Sequence, residues 1–99
     1  MKQSDIISTF LRFNPSKIIL FGSSALGTGE AWSDIDLIVI YNTSKRFLDR
    51  LEELYLSWPF PQAIDILPYT PEEFEEMLEE TFFLQDVVSS GKVIYENPA

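Results

Sequence analysis

The segment 34–41, Asp-Ile-Asp-Leu-Ile-Val-Ile-Tyr, constrains the fold of this chain more than any other stretch. In an extended strand the side chains alternate between two faces, so the two aspartates share one face with Ile38 and Ile40. The other face is apolar throughout. Because both faces are apolar towards the C-terminal end, the segment is typical of a central strand that is covered on both sides. It therefore predicts a sheet with this strand in its interior.

The rest of the chain predicts helices interleaved with short strands. The predicted order is a helix capped by Ser4 or Asp5, strands over 17–21 and 34–41, a helix capped by Thr43 or Ser44, a strand over 63–67, helices after Thr70 and over 82–90, and a strand over 93–95. The helix after residue 44 is expected to bury an apolar side formed by Phe47, Leu48, Leu51, Leu54 and Tyr55. This order predicts an α+β fold, a small mixed sheet covered by helices, in one domain over 1–99.

Cysteine and histidine are both absent from the chain. The missing cysteines exclude disulfides, thiolate metal sites and cysteine nucleophiles, and they suit a cytoplasmic protein. The missing histidines exclude imidazole bases and the usual zinc sites. No apolar run reaches the ~20 residues of a membrane span, and no signal-peptide pattern is present. The chemistry that remains is that of carboxylates, hydroxyls, lysine, arginine and backbone amides.

The chain carries a net charge of −9, from 16 acidic and 7 basic residues. Such a balance repels phosphate backbones and disfavours direct binding to nucleic acid. Much of the excess lies in 72–80, where a solvated helix face is the simpler interpretation. A contact surface for a basic partner is the alternative.

Asp34 and Asp36 place two carboxylates side by side at the start of an apolar strand. Aspartate is disfavoured in strands, and two like charges beside a core are costly unless a cation neutralises them. Magnesium suits such hard oxygen ligands. The alternative is that Asp34 ends a loop and that Asp36 faces water.

Asp65 is a single carboxylate within the otherwise apolar strand 63–67. It needs a partner, and a buried ion pair with Lys17 or Arg12 is one interpretation. If its strand lies beside 34–41, Asp65 instead completes a cluster of three carboxylates. Such clusters hold two magnesium ions for in-line attack at a phosphorus atom.

Gly22 and Ser23 directly follow the predicted strand 17–21. Glycine lets the backbone turn and approach a ligand closely, while serine offers a hydroxyl and a backbone N–H group to phosphate oxygens. A strand followed by Gly-Ser is a common turn, so this feature alone does not identify a ligand.

Gly22-Ser23, ten further residues, the pair Asp34-Ile-Asp36 and a later strand with Asp65 form a specific pattern when taken together. The pattern resembles the nucleotidyltransferases of the DNA polymerase beta superfamily. The stretch 22–37, Gly-Ser-Ser-Ala-Leu-Gly-Thr-Gly-Glu-Ala-Trp-Ser-Asp-Ile-Asp-Leu, is similar to the signature of that family. In its size, and in the capped acidic helix that runs into Val93-Ile-Tyr-Glu96, the chain resembles the minimal nucleotidyltransferases, or MNT proteins.

The resemblance implies the nucleotidyltransferase fold and a role for each residue of the pattern. Gly22 and Ser23 would hold the triphosphate of an incoming nucleotide such as ATP. Asp34 and Asp36 would bind both of two magnesium ions. Asp65 would bind the ion next to the attacking hydroxyl and could accept its proton.

Leu26 departs from the family pattern, because many relatives carry arginine between the residues that correspond to Ala25 and Gly27. The missing cation is expected to weaken triphosphate binding or transition-state stabilisation. Lys45 and Arg46 are candidates to compensate, although a solvated helix start is the simpler interpretation of both.

MNT proteins typically accompany HEPN-domain proteins, small helical ribonucleases, as toxin–antitoxin pairs. The resemblance therefore implies an antitoxin that transfers AMP from ATP to a tyrosine of a HEPN partner. The alternative is a weakly active or inactive module that neutralises the partner by binding alone, which Leu26, the acidic segment 72–80 and the aromatic-rich C-terminal half favour. A third hypothesis is modification of a small molecule, although no second domain is evident to hold it. The pattern identifies neither the nucleotide nor the acceptor atom.

Overall fold

The computed structural model of the protein describes residues 2–22 and 35–97. The helices are α1 (Gln3–Phe10), α2 (Phe47–Leu56), α3 (Pro71–Glu80) and α4 (Phe82–Ser90), and a 3-10 turn over Leu11–Phe13 follows α1. The strands are β1 (Lys17–Phe21), β2 (Ile35–Ile40), β3 (Ile64–Tyr69) and β4 (Lys92–Glu96). Within these residues, none of the helices has both the length and the apolar character needed to cross a bilayer.

The four strands form one sheet in the order β3-β2-β1-β4. β2 runs parallel to β3, whereas β1 is antiparallel to both β2 and β4. The predicted mixed sheet is therefore confirmed, with β2 in its interior as the apolar pattern indicates. The N-terminal ends of β2 and β3 meet the C-terminal end of β1, where Phe21 pairs with Asp36. We refer to this edge as the Asp36 end of the sheet.

Helices cover both faces of the sheet, and because two of its three strand pairs are antiparallel the fold is α+β, as predicted. On one face, α1 and α2 pack on a buried cluster that contains Ile6, Phe10, Leu20, Leu37 and Leu54. On the other face, α3 and α4 pack on a cluster that contains Ile19, Ile38, Phe74, Leu84 and Val87. Burial on both sides explains why odd and even positions of β2 are apolar beyond Asp36.

α3 begins as its sequence predicts. The N–H of Glu73 donates to the hydroxyl of Thr70 at 3.2 Å, and the N–H of Thr70 donates to the carboxylate of Glu73 at 3.0 Å. Pro71 occupies the first turn of the helix. These reciprocal bonds form a capping box, which satisfies two backbone donors that the helix itself leaves unpaired.

α1 and α2 begin at other residues than predicted. Lys2 precedes α1, whose first turn already contains both of the predicted caps. Arg46 precedes α2, so neither Thr43 nor Ser44 caps this helix. The hydroxyl of Thr43 instead accepts the N–H of Lys45 at 3.1 Å in the preceding loop. Threonine hydroxyls compete in this way for nearby backbone donors, and the competition moves the start of the helix.

The buried side of α2 also differs from its prediction. Leu54 is buried, but Leu48 is 73% exposed, and Phe47 and Tyr55 are 41% and 40% exposed. Arg50 is buried in their place, with 7% of its surface exposed. The apolar pattern failed here because Arg50 is buried through its hydrogen bonds to Lys45, Pro68 and Glu73, which the spacing of apolar residues cannot indicate.

Candidate active site

The carboxylates of Asp36 and Asp65 lie on neighbouring parallel strands at the Asp36 end of the sheet. Each is the second residue of its strand, and the two are partners in the β2–β3 ladder. Adjacent strands lie about 5 Å apart, so these side chains are close neighbours on one face. Asp36 is half-buried and Asp65 is exposed. The strand order thus brings together two of the three carboxylates that the sequence singles out.

Gly22 follows the last residue of β1 and lies directly against Asp36. Phe21 is the ladder partner of Asp36, and Gly22 follows it with a φ of 70°. A Cβ at Gly22 would lie 2.6 Å from Oδ2 of Asp36, closer than such atoms approach in proteins. Glycine alone combines this left-handed backbone with this contact. The turn therefore places bare backbone beside the Asp36 carboxylate, where a ligand could approach both groups.

Two predicted site residues, Ser23 and Asp34, lie outside the described residues, as does Leu26. The role of Ser23 at the phosphates and that of Asp34 as a third carboxylate therefore stay predictions. The positions that flank them are described, since Gly22 precedes this segment and Ile35 begins β2 after it.

The alternative interpretation of Asp65, a buried ion pair with Lys17 or Arg12, is wrong. Asp65 is exposed, and among the described residues no lysine or arginine nitrogen lies within 4 Å of its carboxylate. Lys17 begins β1 at the opposite end of the sheet and pairs with Glu96 at 3.7 Å. Arg12 donates a hydrogen bond to Ser57. Both cations are therefore engaged elsewhere, and Asp65 stays open to a ligand.

Lys45 and Arg46 lie beyond the C-terminal end of β2, away from Asp36. Nζ of Lys45 is 2.9 Å from a carboxylate oxygen of Glu53, and Nε of Arg46 is 3.3 Å from one of Asp49. Both cations are exposed and pair with carboxylates of α2. This arrangement favours the solvated helix start and gives no support to a compensating role at the phosphates.

The residues that the structure describes at the Asp36 end fit a magnesium ion in the chemistry of their donors. Asp36 and Asp65 offer hard anionic oxygens from adjacent strands, and magnesium is bound in proteins by one or two carboxylates together with substrate phosphates and water. Two like charges on neighbouring ladder positions repel each other, and a divalent cation between them removes that cost.

Lys92, which none of the sequence motifs includes, begins β4 near this end of the sheet, but on the face opposite to that of Asp36 and Asp65. Its ladder partner is Leu20, two residues before Gly22. The pairing of β4 with β1 joins segments about 70 residues apart in the chain, so local patterns carry no signal for it.

The fold and these carboxylates together define a nucleotidyltransferase-type domain. The sequence model of the family described as nucleotidyltransferase domain matches residues 1–95, and the chain belongs to this family. The resemblance carried by the stretch 22–37 is therefore confirmed. Members of this family generally use a nucleoside triphosphate and a divalent metal.

Two curated relatives carry names that assign them provisionally as protein adenylyltransferases. MJ1305 of Methanocaldococcus jannaschii is 36% identical over 84 residues, which is 80% of this chain and 57% of the relative. MntA of Haemophilus influenzae is 33% identical over 66 residues, which is 63% of this chain and 58% of the relative. The chain thus spans less than three-fifths of the length of either protein.

Solved structures of toxin–antitoxin complexes contain chains with a similar fold. A chain of a toxin–antitoxin complex with AMP-PNP matches 99% of this chain and 76% of its own length, with a TM-score of 0.68 and 25% identity. A chain from the complex of a tri-AMPylated Shewanella oneidensis HEPN toxin with its MNT antitoxin matches 96% of this chain and 70% of its own length. Its TM-score is 0.56 and its identity 22%, which shows the fold alone.

Proposed function

We propose that this protein is a magnesium-dependent nucleotidyltransferase that transfers AMP from ATP to a tyrosine hydroxyl of a HEPN-domain partner, and that it acts as the antitoxin of the pair. The observation that best supports this proposal is the pairing of Asp36 with Asp65 beside the bare backbone of Gly22. In this proposal Asp36 and Asp65 are the metal-binding pair and the turn at Gly22 binds phosphate, and a nucleotide site needs both.

Each residue of the site has one task in this proposal. Gly22 and Ser23 bind the triphosphate through backbone N–H groups and the serine hydroxyl. Asp36 and Asp65, with Asp34, hold the magnesium ions. When bound, these ions lower the pKa of the attacking hydroxyl and neutralise charge at the phosphates. Catalysis then depends mainly on positioning and on electrostatic stabilisation, and neither requires a histidine or a cysteine.

The reaction is an in-line displacement at the α-phosphorus of ATP. The tyrosine oxygen forms a bond to that phosphorus, while the bond to the oxygen that bridges to the β-phosphorus breaks. Pyrophosphate leaves, and the phenolic proton passes to the carboxylate of Asp65 or to water. The exposure of Asp65 suits this role, since a protein-borne hydroxyl must reach it from solvent.

The choice of AMP and of a HEPN partner rests on the family resemblance and on the relatives. Two relatives at least 33% identical are named as protein adenylyltransferases. A chain from a toxin–antitoxin complex with AMP-PNP shares the fold at 25% identity. A cytoplasmic location is part of the proposal, because the chain contains no cysteine that would benefit from an oxidising compartment.

A transfer assay tests the proposal. The purified protein is mixed with ATP labelled at the α-phosphate, magnesium and a HEPN-domain protein with which it forms a complex, and label on the HEPN chain is measured. We expect label on the partner, and we expect Asp36→Asn to reduce the rate at least ~100-fold, because even residues behind a metal ligand contribute 10–100-fold. Glu75→Gln, an exposed carboxylate change on α3, serves as the matched control.

Two results of this assay would contradict the proposal. If the complex with the HEPN protein forms but no label is transferred by the unmodified chain, the proposed transfer is wrong. If label is transferred equally by the unmodified chain and by Asp36→Asn, the site has been placed at the wrong residues.

Neutralisation by binding alone is the second candidate function, and the surface of α4 favours it. Phe82 and Phe83 are 88% and 57% exposed, directly after the acidic helix α3. Adjacent exposed aromatic side chains are typical of protein contact sites. The Asp36→Asn variant separates the two functions, because a binding module would still neutralise the HEPN protein with this substitution, whereas an adenylyltransferase would not.

A further inference from the structure

A cavity of about 240 Å³ lies between the start of α2, the C-terminal end of β3 and α3. The residues that line it are Phe47, Tyr69, Glu73, Glu76 and Met77. We call it the Tyr69 pocket. Tyr69 is four residues beyond Asp65, about 13 Å further along β3, so the pocket is separate from the candidate active site. Because it is smaller than the pockets that hold drug-sized ligands, it suits a single side chain.

The hydroxyl of Tyr69 gives this pocket a polar group that is free to bind a ligand. Tyr69 is 9% exposed, and its hydroxyl makes no hydrogen bond to any residue that the structure describes. Since each fully buried polar side-chain atom in this part of the chain has a partner, the hydroxyl must be reachable from solvent. Burial and the nearby Glu73 carboxylate raise the pKa of Tyr69, so the hydroxyl stays protonated and neutral. Its lone pairs can therefore accept a hydrogen bond from a group that enters the pocket.

Two aromatic rings form walls of the Tyr69 pocket. The ring centroids of Phe47 and Tyr69 are 6.3 Å apart, with the ring planes tilted by 40°. The face of an aromatic ring attracts a cation that lies within about 6 Å of its centroid. Met77 adds a polarisable thioether to the lining. These walls suit a ligand that is both cationic and flat.

The charge of the lining also selects a cation. The carboxylate of Glu73 is paired with Arg50, whereas Glu76 is exposed and takes part in none of the ion pairs among the described residues. α3 contains no basic residue, and its acidic side chains other than Glu73 are exposed. The potential around the pocket is therefore negative, which attracts a basic group and repels a carboxylate or a phosphate.

We propose that the Tyr69 pocket binds an arginine side chain of a protein partner. A guanidinium group is planar, so it can stack on the ring of Phe47 while it donates hydrogen bonds to the carboxylate of Glu76 and to the hydroxyl of Tyr69. A lysine would pair with the carboxylate but would not stack, and an apolar side chain would leave the hydroxyl unpaired. The identity of the partner, a HEPN-domain protein, rests on the proposed function, whereas the chemistry of the pocket does not.

A titration of the whole chain with N-acetyl-arginine amide, followed by nuclear magnetic resonance, tests the pocket by itself. We expect saturable shifts at Tyr69 and Met77, with a Kd on the order of millimolar. The citrulline derivative, which has the same shape without the charge, should bind about tenfold more weakly, and the lysine derivative should lie between the two. Glu76→Gln should weaken arginine binding about threefold. Glu79→Gln, an exposed change on the same helix, is the matched control and should leave it unchanged.

Calorimetry with a HEPN-domain protein tests the use of the pocket in a complex. Glu76→Lys places a cation where the partner's arginine would bind, so we expect it to weaken the complex about tenfold or more. Glu79→Lys changes the net charge of the chain equally and should bind within about threefold of the unmodified chain.

The two experiments separate this inference from the proposed function. If the arginine derivative binds no more tightly than the citrulline derivative, or if Glu76→Lys and Glu79→Lys bind the partner equally well, the inference is wrong while the proposed transfer stands. If the unmodified chain forms no complex with the HEPN-domain protein, the proposed function fails, and the titration with the arginine derivative alone decides the inference.

Discussion

Gly22 and Asp36 are in contact across the β1–β2 ladder, and the contact leaves no room for a side chain on the glycine. A Cβ there would meet Oδ2 of the carboxylate at 2.6 Å, and the φ of 70° disfavours any other residue. The turn and the carboxylate are therefore one structural unit, so that moving either changes the position of the other.

Gly22→Ala is expected to impair nucleotide binding more than it impairs stability. The left-handed backbone costs an alanine roughly 1–2 kcal/mol of folding free energy, and the added methyl group displaces the Asp36 carboxylate. We expect AMP-PNP binding in the presence of magnesium to fall at least ~10-fold, because a displaced carboxylate no longer meets the metal and phosphates together. Urea unfolding and calorimetry measure the two effects.

Asn14→Ala provides the control for backbone strain. Asn14 has a φ of 53°, and it lies before the other end of β1. Its replacement should destabilise the fold by a similar amount and leave nucleotide binding intact. Equal binding by the two variants would show that the close contact at Gly22 has no part in the site.

Asp65→Asn should abolish the stabilising effect of magnesium and nucleotide without weakening the fold itself. Asp65 is exposed and neighbours Asp36, so removing its charge relieves a repulsion and should change the free energy of unfolding by no more than ~0.5 kcal/mol. In the unmodified chain, ligand at 100 times its Kd adds about 2.7 kcal/mol. Thermal unfolding with and without magnesium and AMP-PNP measures both quantities. A normal ligand-induced shift in Asp65→Asn would remove this residue from the site.

The pairing of Asp36 with Asp65 shows which part of the site can be predicted from the sequence and which part cannot. Alternation along each strand fixes the face on which a carboxylate lies, because the period of two is a property of the extended chain. It does not fix which strands are neighbours. The parallel β2–β3 pair encloses α2 in its crossover, so the relation between the two carboxylates depends on packing across about 30 residues. The family resemblance supplied that relation, which local chemistry alone left open.

The failure at α2 has a different cause. Its apolar residues predicted a buried side through Leu48, yet Arg50 is buried and Leu48 is exposed. The guanidinium group reaches the carboxylate of Glu73 on α3 and carbonyl oxygens of Lys45 and Pro68. The burial of Arg50 depends on partners in three other segments, so the spacing of apolar residues along α2 cannot indicate it.

Arg50→Ala should destabilise the fold by about 2–4 kcal/mol. The change removes two hydrogen bonds to Glu73, of 2.6 and 3.2 Å, and leaves backbone carbonyl groups without their donor. Arg46→Ala, which removes a largely exposed arginine from the same helix start, should cost at most ~0.5 kcal/mol. Urea unfolding of both variants checks the difference. Similar losses for the two would mean that the buried contacts of Arg50 contribute little.

Glu73 should make the stability of the protein sensitive to acid. The hydrogen bond from Arg50 holds the pKa of the Glu73 carboxyl below its usual value, and the N–H of Thr70 adds to this effect. Because the pKa in the folded state is lower than in the unfolded chain, the charged form contributes stability above the unfolded pKa of about 4.3. That contribution is lost as the pH falls through the folded pKa.

The expected result is a steeper loss of unfolding free energy below about pH 4.3 in the unmodified chain than in Glu73→Gln. Glutamine keeps the capping box with Thr70, so the variant tests the charge and not the helix cap. Glu79→Gln, an exposed change on the same helix, should follow the unmodified curve. Urea unfolding between about pH 3 and pH 7 measures the three curves. Parallel curves for all three would show that the Arg50–Glu73 pair does not govern the acid response.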